Sequence, residues 1–209
     1  MPSPGDKIST WLEKKPRARR LLVLLMLAGF AVNALIAART DTPTVDEFVQ
    51  LPMGLYYLKT GRFDLDRRNP PLIKVLTAAP LLLMDANLDT DPQWRSKGEG
   101  WWMWIFGTRF MRINQEKYFD LFFAGRIVNV LIGTAGALLA YLWARTWLGP
   151  APALGTLLVY STSPALLGHA SVATLDTGVT VFLLAGFIAL HRLAQGRHRR
   201  WALAAGALF

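Results

Sequence analysis

Four polar groups, set into a mostly apolar sequence, have residue types suited to chemistry. Asp46-Glu47 is the first. A carboxylate held near a hydroxyl can take its proton as the oxygen attacks. Glu47 also has a local explanation. Thr44-Val45-Asp46-Glu47 fits a capping box, in which the glutamate reaches back to the N-cap residue and its charge complements the helix dipole. Asp46 has no such explanation, because Thr44 already serves as the cap. The second group is Arg67-Arg68-Asn69-Pro70-Pro71-Leu72-Ile73-Lys74. It reads either as a capped helix preceded by solvated charges or as an anion site, since basic side chains near a helix N-terminus favour phosphate. The two prolines remove two backbone donors, which weakens the backbone part of such a site. Arg126 is third. At the edge of an apolar block an arginine either snorkels to the surface or pairs with a lipid phosphate or an inward-facing acid. Asp176 is fourth, after Gly168-His169-Ala170-Ser171. About one turn inside an apolar block, a carboxylate is costly unless it faces a cavity or a bundle interior. His169 reads as a polar interface residue, although Asp46, His169 and Asp176 together would suit a divalent ion. There is no cysteine, which excludes disulfides, thiolate nucleophiles and Cys-ligated zinc. P-loop, dinucleotide-binding, HExxH and GxSxG patterns are all missing from the sequence.

The elements that must hold these groups are helical and membrane-bound. Leu21–Ala38 is eighteen residues long, interrupted only by Gly29 and Asn33, and as a helix it spans roughly 27 Å, close to the hydrocarbon thickness of a bilayer. Ile127–Trp143, Ala151–Leu167 and Val172–Leu190 are comparable. The expected architecture is an all-α polytopic membrane protein: a basic tail over residues 1–20, then a transmembrane domain over 21–209. Its spans are placed at about 21–38, 119–143, 151–167 and 172–190, with a truncated span from 201 and a long outer loop over 39–118. Trp201–Phe209 reaches only about 14 Å, so the sequence reads as the N-terminal part of a larger protein. A signal peptide is disfavoured, because the apolar stretch is too long and Ile36 spoils the cleavage pattern ending at Ala38.

The net charge of +9 would suit nucleic acid, but its distribution argues against that partner. Residues 40–117 hold ten basic and ten acidic side chains and so balance. The excess sits at Lys7, Lys14, Lys15, Arg17, Arg19 and Arg20, at Arg145, and at Arg192, Arg197, Arg199 and Arg200. Alternate spans place these on one side of the membrane, which predicts a cytoplasmic N-terminus in a multi-pass protein of the cell inner or plasma membrane. Within the outer loop, Phe48, Leu51, Leu55 and Leu58 follow the capping box at helical spacing, with Pro52 expected to kink the helix and Gly61 to stop it. Asn69 is expected to cap a second helix over Leu72–Met84. Both would lie along the membrane surface, together with the aromatic cluster Trp94, Trp101, Trp102, Trp104 and Phe106.

The order of these motifs resembles the protein O-mannosyltransferase family and its bacterial relatives that use lipid-carried sugars, including the lipid A aminoarabinose transferases. These are C-type (GT-C) integral membrane glycosyltransferases. The resemblance rests on Val45-Asp46-Glu47-Phe48, Gly54-Leu55-Tyr56-Tyr57-Leu58-Lys59-Thr60-Gly61, Asn69-Pro70-Pro71-Leu72-Ile73-Lys74, Ala124-Gly125-Arg126, and His169 through Asp176. It covers most of Leu21–Leu190. It implies a GT-C-like helix bundle whose outer loop carries short amphipathic helices. It also implies transfer, with inversion, of a sugar from a polyprenyl-phosphate donor to a hydroxyl of a protein, lipid or glycan acceptor. Asp46 would be the general base, and Glu47 would hold the helix start. Arg68, Lys74 and Arg126 would bind the donor phosphate, and Asn69, His169 and Asp176 would serve the acceptor side or the structure. Many relatives carry His or Lys where this chain has Asn69, which leaves Arg68 to take up that phosphate contact. No cofactor is required by this reading, although a divalent metal is compatible with it. The competing readings are a lipid-linked-sugar flippase, with Arg126 and Asp176 lining a path, and a non-catalytic membrane scaffold.

Overall fold

A computed structural model describes residues 4–66, 69–90, 102–196 and 200–208. All regular structure among them is helical: α1 Pro4–Lys14, α2 Pro16–Thr40, α3 Val45–Thr60, α4 Pro71–Ala78, a 3-10 turn Ala79–Leu83, α5 Trp102–Ile113, α6 Tyr118–Leu148, α7 Pro150–Thr162, α8 Pro164–Ala170, α9 Asp176–Ala194 and α10 Arg200–Leu208. Three of these, α2, α6 and α9, are long and apolar enough to cross a membrane. Only 22%, 33% and 28% of their most apolar stretches are buried within the chain. A water-soluble fold would hide such surface, so lipid is its natural solvent, and the chain is a membrane protein.

Two expected elements differ in detail. The block at 151–167 is two helices, because Pro164 pushes Ser163 into the extended region (φ −69°, ψ 117°) and opens a new helix. α7 alone has 13 residues, about 20 Å, too short to span. The helix expected over Leu72–Met84 is α-helical only to Ala78 and then tightens into the 3-10 turn, which contains Pro80. By contrast α3 runs unbroken through Pro52 and ends at Gly61, whose φ of +67° suits glycine.

The chain divides into two units. One comprises Met1–Ala34, Leu131–Leu167 and Thr177–Phe209. Its core joins Val23 to Ala137, Tyr141, Ala153 and Leu157. Small residues let its helices approach: a Cβ on Gly136 would fall 2.4 Å from Val181 Cγ2, and Tyr160 donates its hydroxyl to the Gly133 carbonyl at 3.0 Å.

The second unit, Leu35–Val130 with Gly168–Asp176, holds every candidate site residue named from the sequence. Its core packs Leu51, Leu55, Leu81, Phe110, Leu121 and Phe122 together, and a neighbouring cluster adds Met53, Tyr56, Tyr57 and Phe106. α3 crosses α4 at Gly54, where a Cβ would lie 2.0 Å from the Lys74 carbonyl oxygen and 2.5 Å from its carbon. Backbone cannot yield as a side-chain tip can. Gly54→Ala is therefore expected to destabilise the unit by about 1–3 kcal/mol, the cost of overpacking. A lowered thermal midpoint of the purified protein, read by circular dichroism, checks this.

Candidate functional site

The first turn of α3 forms as its capping box predicts. Glu47 Oε2 accepts the Thr44 backbone N–H at 2.8 Å and the Thr44 hydroxyl at 3.0 Å. Helical geometry then points successive side chains different ways. Glu47 is fully buried and Asp46 is exposed. Among the described residues the Asp46 carboxylate has no hydrogen-bond or ion-pair partner.

Glu47 is the hub of the site. It meets Arg126 in a two-pronged pair, Nε to Oε1 at 2.7 Å and Nη2 to Oε2 at 2.8 Å. Oε1 also accepts the Ala173 backbone N–H at 2.8 Å. Arg126 spends its remaining donors on the end of α2: Nη1 bonds the carbonyls of Ala38 (2.8 Å) and Asp41 (2.7 Å), and Nη2 bonds that of Thr42 (3.0 Å). The Ala38 carbonyl is among the acceptors that a helix C-terminus leaves unpaired, those of Asp41 and Thr42 follow it in the loop, and the helix dipole favours a cation there. All five guanidinium N–H groups are thus in use. This corrects the phosphate role expected of Arg126 and bears out the helix-start role expected of Glu47. Arg126 has no donor left for a phosphate. Glu47, accepting five hydrogen bonds, has no free lone pair well placed to act as a base. Both are structural.

The protonation of Glu47 follows from this geometry. Burial pushes its pKa upward, but the Arg126 hydrogen bonds, the Ala173 and Thr44 N–H groups and the Arg126 charge outweigh it and hold the carboxyl below its ordinary value of 4.5. A depressed folded pKa contributes stability that is present above the unfolded pKa and lost as pH falls through the folded one. The melting temperature is therefore expected to drop in the acid range below about pH 4.5, and Glu47→Gln removes that component of the drop. Acid titration of the thermal midpoint for both proteins tests it.

Lys74 is likewise committed. It is buried, and its Nζ lies 2.5 Å from Asp66 Oδ2. The Asn69 amide donates to the same oxygen at 3.0 Å, so Asn69 holds Asp66 instead of capping α4, whose N-cap is Pro70. The Tyr57 hydroxyl donates to the Asp66 carbonyl at 3.3 Å and accepts the Asp66 N–H at 3.2 Å. Burial is the main reason that hydroxyl is pushed up to about 12, which keeps it a neutral donor. Lys74 and Asn69 thus lock the segment after α3 onto α4; the phosphate contact expected of Lys74 does not fit this geometry, and Asn69 takes up the structural one of its two expected roles. Arg68, the remaining phosphate candidate, lies outside the described residues, as do Trp94 and Trp101.

Asp176 does not lie a turn inside its helix. It is the first residue of α9, exposed, with His169 Nδ1 3.5 Å from its Oδ2. As a first-turn acid it complements the helix dipole. Among the described residues no group of three or more His, Asp or Glu side chains is close enough to hold a metal ion, so Asp46, His169 and Asp176 do not form the divalent site their chemistry would allow.

Two contributors have no counterpart in the motif reading. Asn129, buried and one turn after Arg126, donates its amide to the carbonyls of Val172 (2.5 Å), His169 (3.2 Å) and Thr174 (3.4 Å). With the Glu47–Ala173 bond, it fastens the His169–Asp176 segment to the turn that carries Asp46. Its signal was Arg126-x-x-Asn129, two polar residues on one face of an apolar helix. Arg39 is the second. Its exposed guanidinium pairs with Asp120 at 2.6 Å and lies over the Phe123 ring. It borders a cavity of about 240 Å³ that is also lined by Ala38, Thr40, Asp41, Thr42, Phe119, Phe122 and Arg126.

No protein-family model, curated protein or solved structure matches the chain.

Proposed function

We propose that the chain belongs to a membrane glycosyltransferase that moves a sugar from a polyprenyl-phosphate carrier to an acceptor hydroxyl at the outer membrane face, with a cytoplasmic N-terminus. The observation that carries this reading is the division of labour in Asp46-Glu47. One carboxylate is locked into the scaffold through Arg126 and Ala173, and its neighbour on the same turn stands exposed and, among the described residues, unpaired. A base needs that combination: fixed backbone and free oxygens. In the reaction the acceptor oxygen bonds to the anomeric carbon as the bond from that carbon to the phosphate oxygen breaks. Asp46 takes the hydroxyl proton, and polyprenyl phosphate leaves as an anion. Lys74 and Arg126 are locked in buried pairs, so among the described residues the proposed partner of that anion is Arg39, whose pair with Asp120 is exposed beside the cavity. The order of the sequence motifs supports the same reaction class.

The test uses the full-length protein in proteoliposomes supplied with a polyprenyl-phosphate sugar labelled in the sugar, and with membrane and protein acceptors. The proposal expects labelled, glycosylated product and free polyprenyl phosphate in equal amounts. Labelled donor carried intact across the bilayer, without product, would identify a flippase and overturn it; donor left untouched would favour a scaffold.

A further inference from the structure

We infer that α1 is an in-plane membrane helix that docks on anionic phospholipid headgroups in the leaflet around the N-terminal end of α2. α1 joins α2 through the single residue Lys15, because Pro16 opens the new helix and bars continuation. α2 is a membrane-crossing helix, so chain connectivity alone holds α1 at the membrane border. The joint is pinned. Arg19, nearly buried, donates to the Leu12 carbonyl at 3.3 Å, and Leu12 itself is buried against the bundle. With that face used, Ile8 (54% exposed) and Trp11 (46% exposed), one turn apart, remain uncovered. An exposed isoleucine and tryptophan at helical spacing are costly in water and suited to the boundary between headgroup and acyl chain.

Charge selects the lipid. Lys14, Lys15, Arg17 and Arg20 are all exposed, against one exposed acid nearby among the described side chains, Glu13. Lys15 folds over the Trp11 ring, 5.3 Å from its centroid, so the cation sits beside the apolar anchor. Basic residues near an anionic surface each contribute about 1 kcal/mol, roughly fivefold in the ratio of docked to free helix. None of this depends on glycosyl transfer.

The chain has no cysteine, so one introduced thiol is a unique reporter. Ile8→Cys, and separately Trp11→Cys, would carry an environment-sensitive fluorophore in nanodiscs of phosphatidylcholine, with and without phosphatidylglycerol. The expected result is blue-shifted emission that is quenched by lipids bearing a nitroxide near the headgroup and shielded from aqueous acrylamide. The effect should be stronger with phosphatidylglycerol and weakened by salt. Lys14→Gln with Lys15→Gln should lower the docked-to-free ratio about 25-fold in phosphatidylglycerol, at roughly fivefold per charge. Labels open to acrylamide in both nanodiscs would overturn the inference. So would labels shielded from acrylamide but untouched by nitroxide lipid, which would mean protein contact, or docking indifferent to phosphatidylglycerol.

Discussion

Arg126→Ala is expected to destabilise the protein by about 3–5 kcal/mol, the cost of leaving one half of a buried ion pair alone. The loss reaches beyond the pair. Without the guanidinium, the Ala38, Asp41 and Thr42 carbonyls lose their donors and Glu47 keeps a charge in a fully buried position. Two routes of the chain into the site, the end of α2 and the start of α3, would come apart together. Arg126→Lys should recover only part of the stability, because an ammonium offers three donors from a point while the guanidinium supplies five in a fixed fork. Denaturant unfolding in detergent, followed by circular dichroism, measures both variants.

Asp46→Asn is expected to behave in the opposite way. Its carboxylate is exposed and makes no hydrogen bond or ion pair among the described residues, so only its favourable place in the first helical turn is lost, less than about 1 kcal/mol. The amide has nearly the same shape but cannot accept a proton to any useful degree. Loss of a general base slows a reaction by about 10²–10⁴. Asp46 sensitive in rate, and the Arg126 that anchors its neighbour Glu47 sensitive in stability, would be a signature that neither a flippase nor a scaffold produces.

How much of this was readable in the sequence depended on range. The α3 cap at Thr44 and its stop at Gly61 are settled by residues within a turn of each other, and both formed as expected. The break at Ser163-Pro164 is just as local, yet an apolar block invites reading as a single span because hydropathy is blind to backbone constraint. Asp176 was misplaced for the same reason: the mostly apolar Val172–Leu175 precede it, but those residues are not helical, and the Val172 and Thr174 carbonyls and the Ala173 N–H are bonded to Asn129 and Glu47. Partners distant in sequence were not legible at all. Glu47 finds Arg126 across 79 positions, and no local pattern signals that Arg126 also closes the end of α2. Lys74 looked like a phosphate ligand until its partner, Asp66, was placed beside it.

The central claim is that Asp46 is the working carboxylate and Glu47 its anchor. Its most direct test is the initial rate of sugar transfer from a polyprenyl-phosphate donor by full-length Asp46→Asn, at an amount of folded protein matched to wild type by melting temperature. The account predicts a rate lower by about 10²–10⁴ at an unchanged melting temperature. Transfer at the wild-type rate would contradict it and remove Asp46 from the reaction.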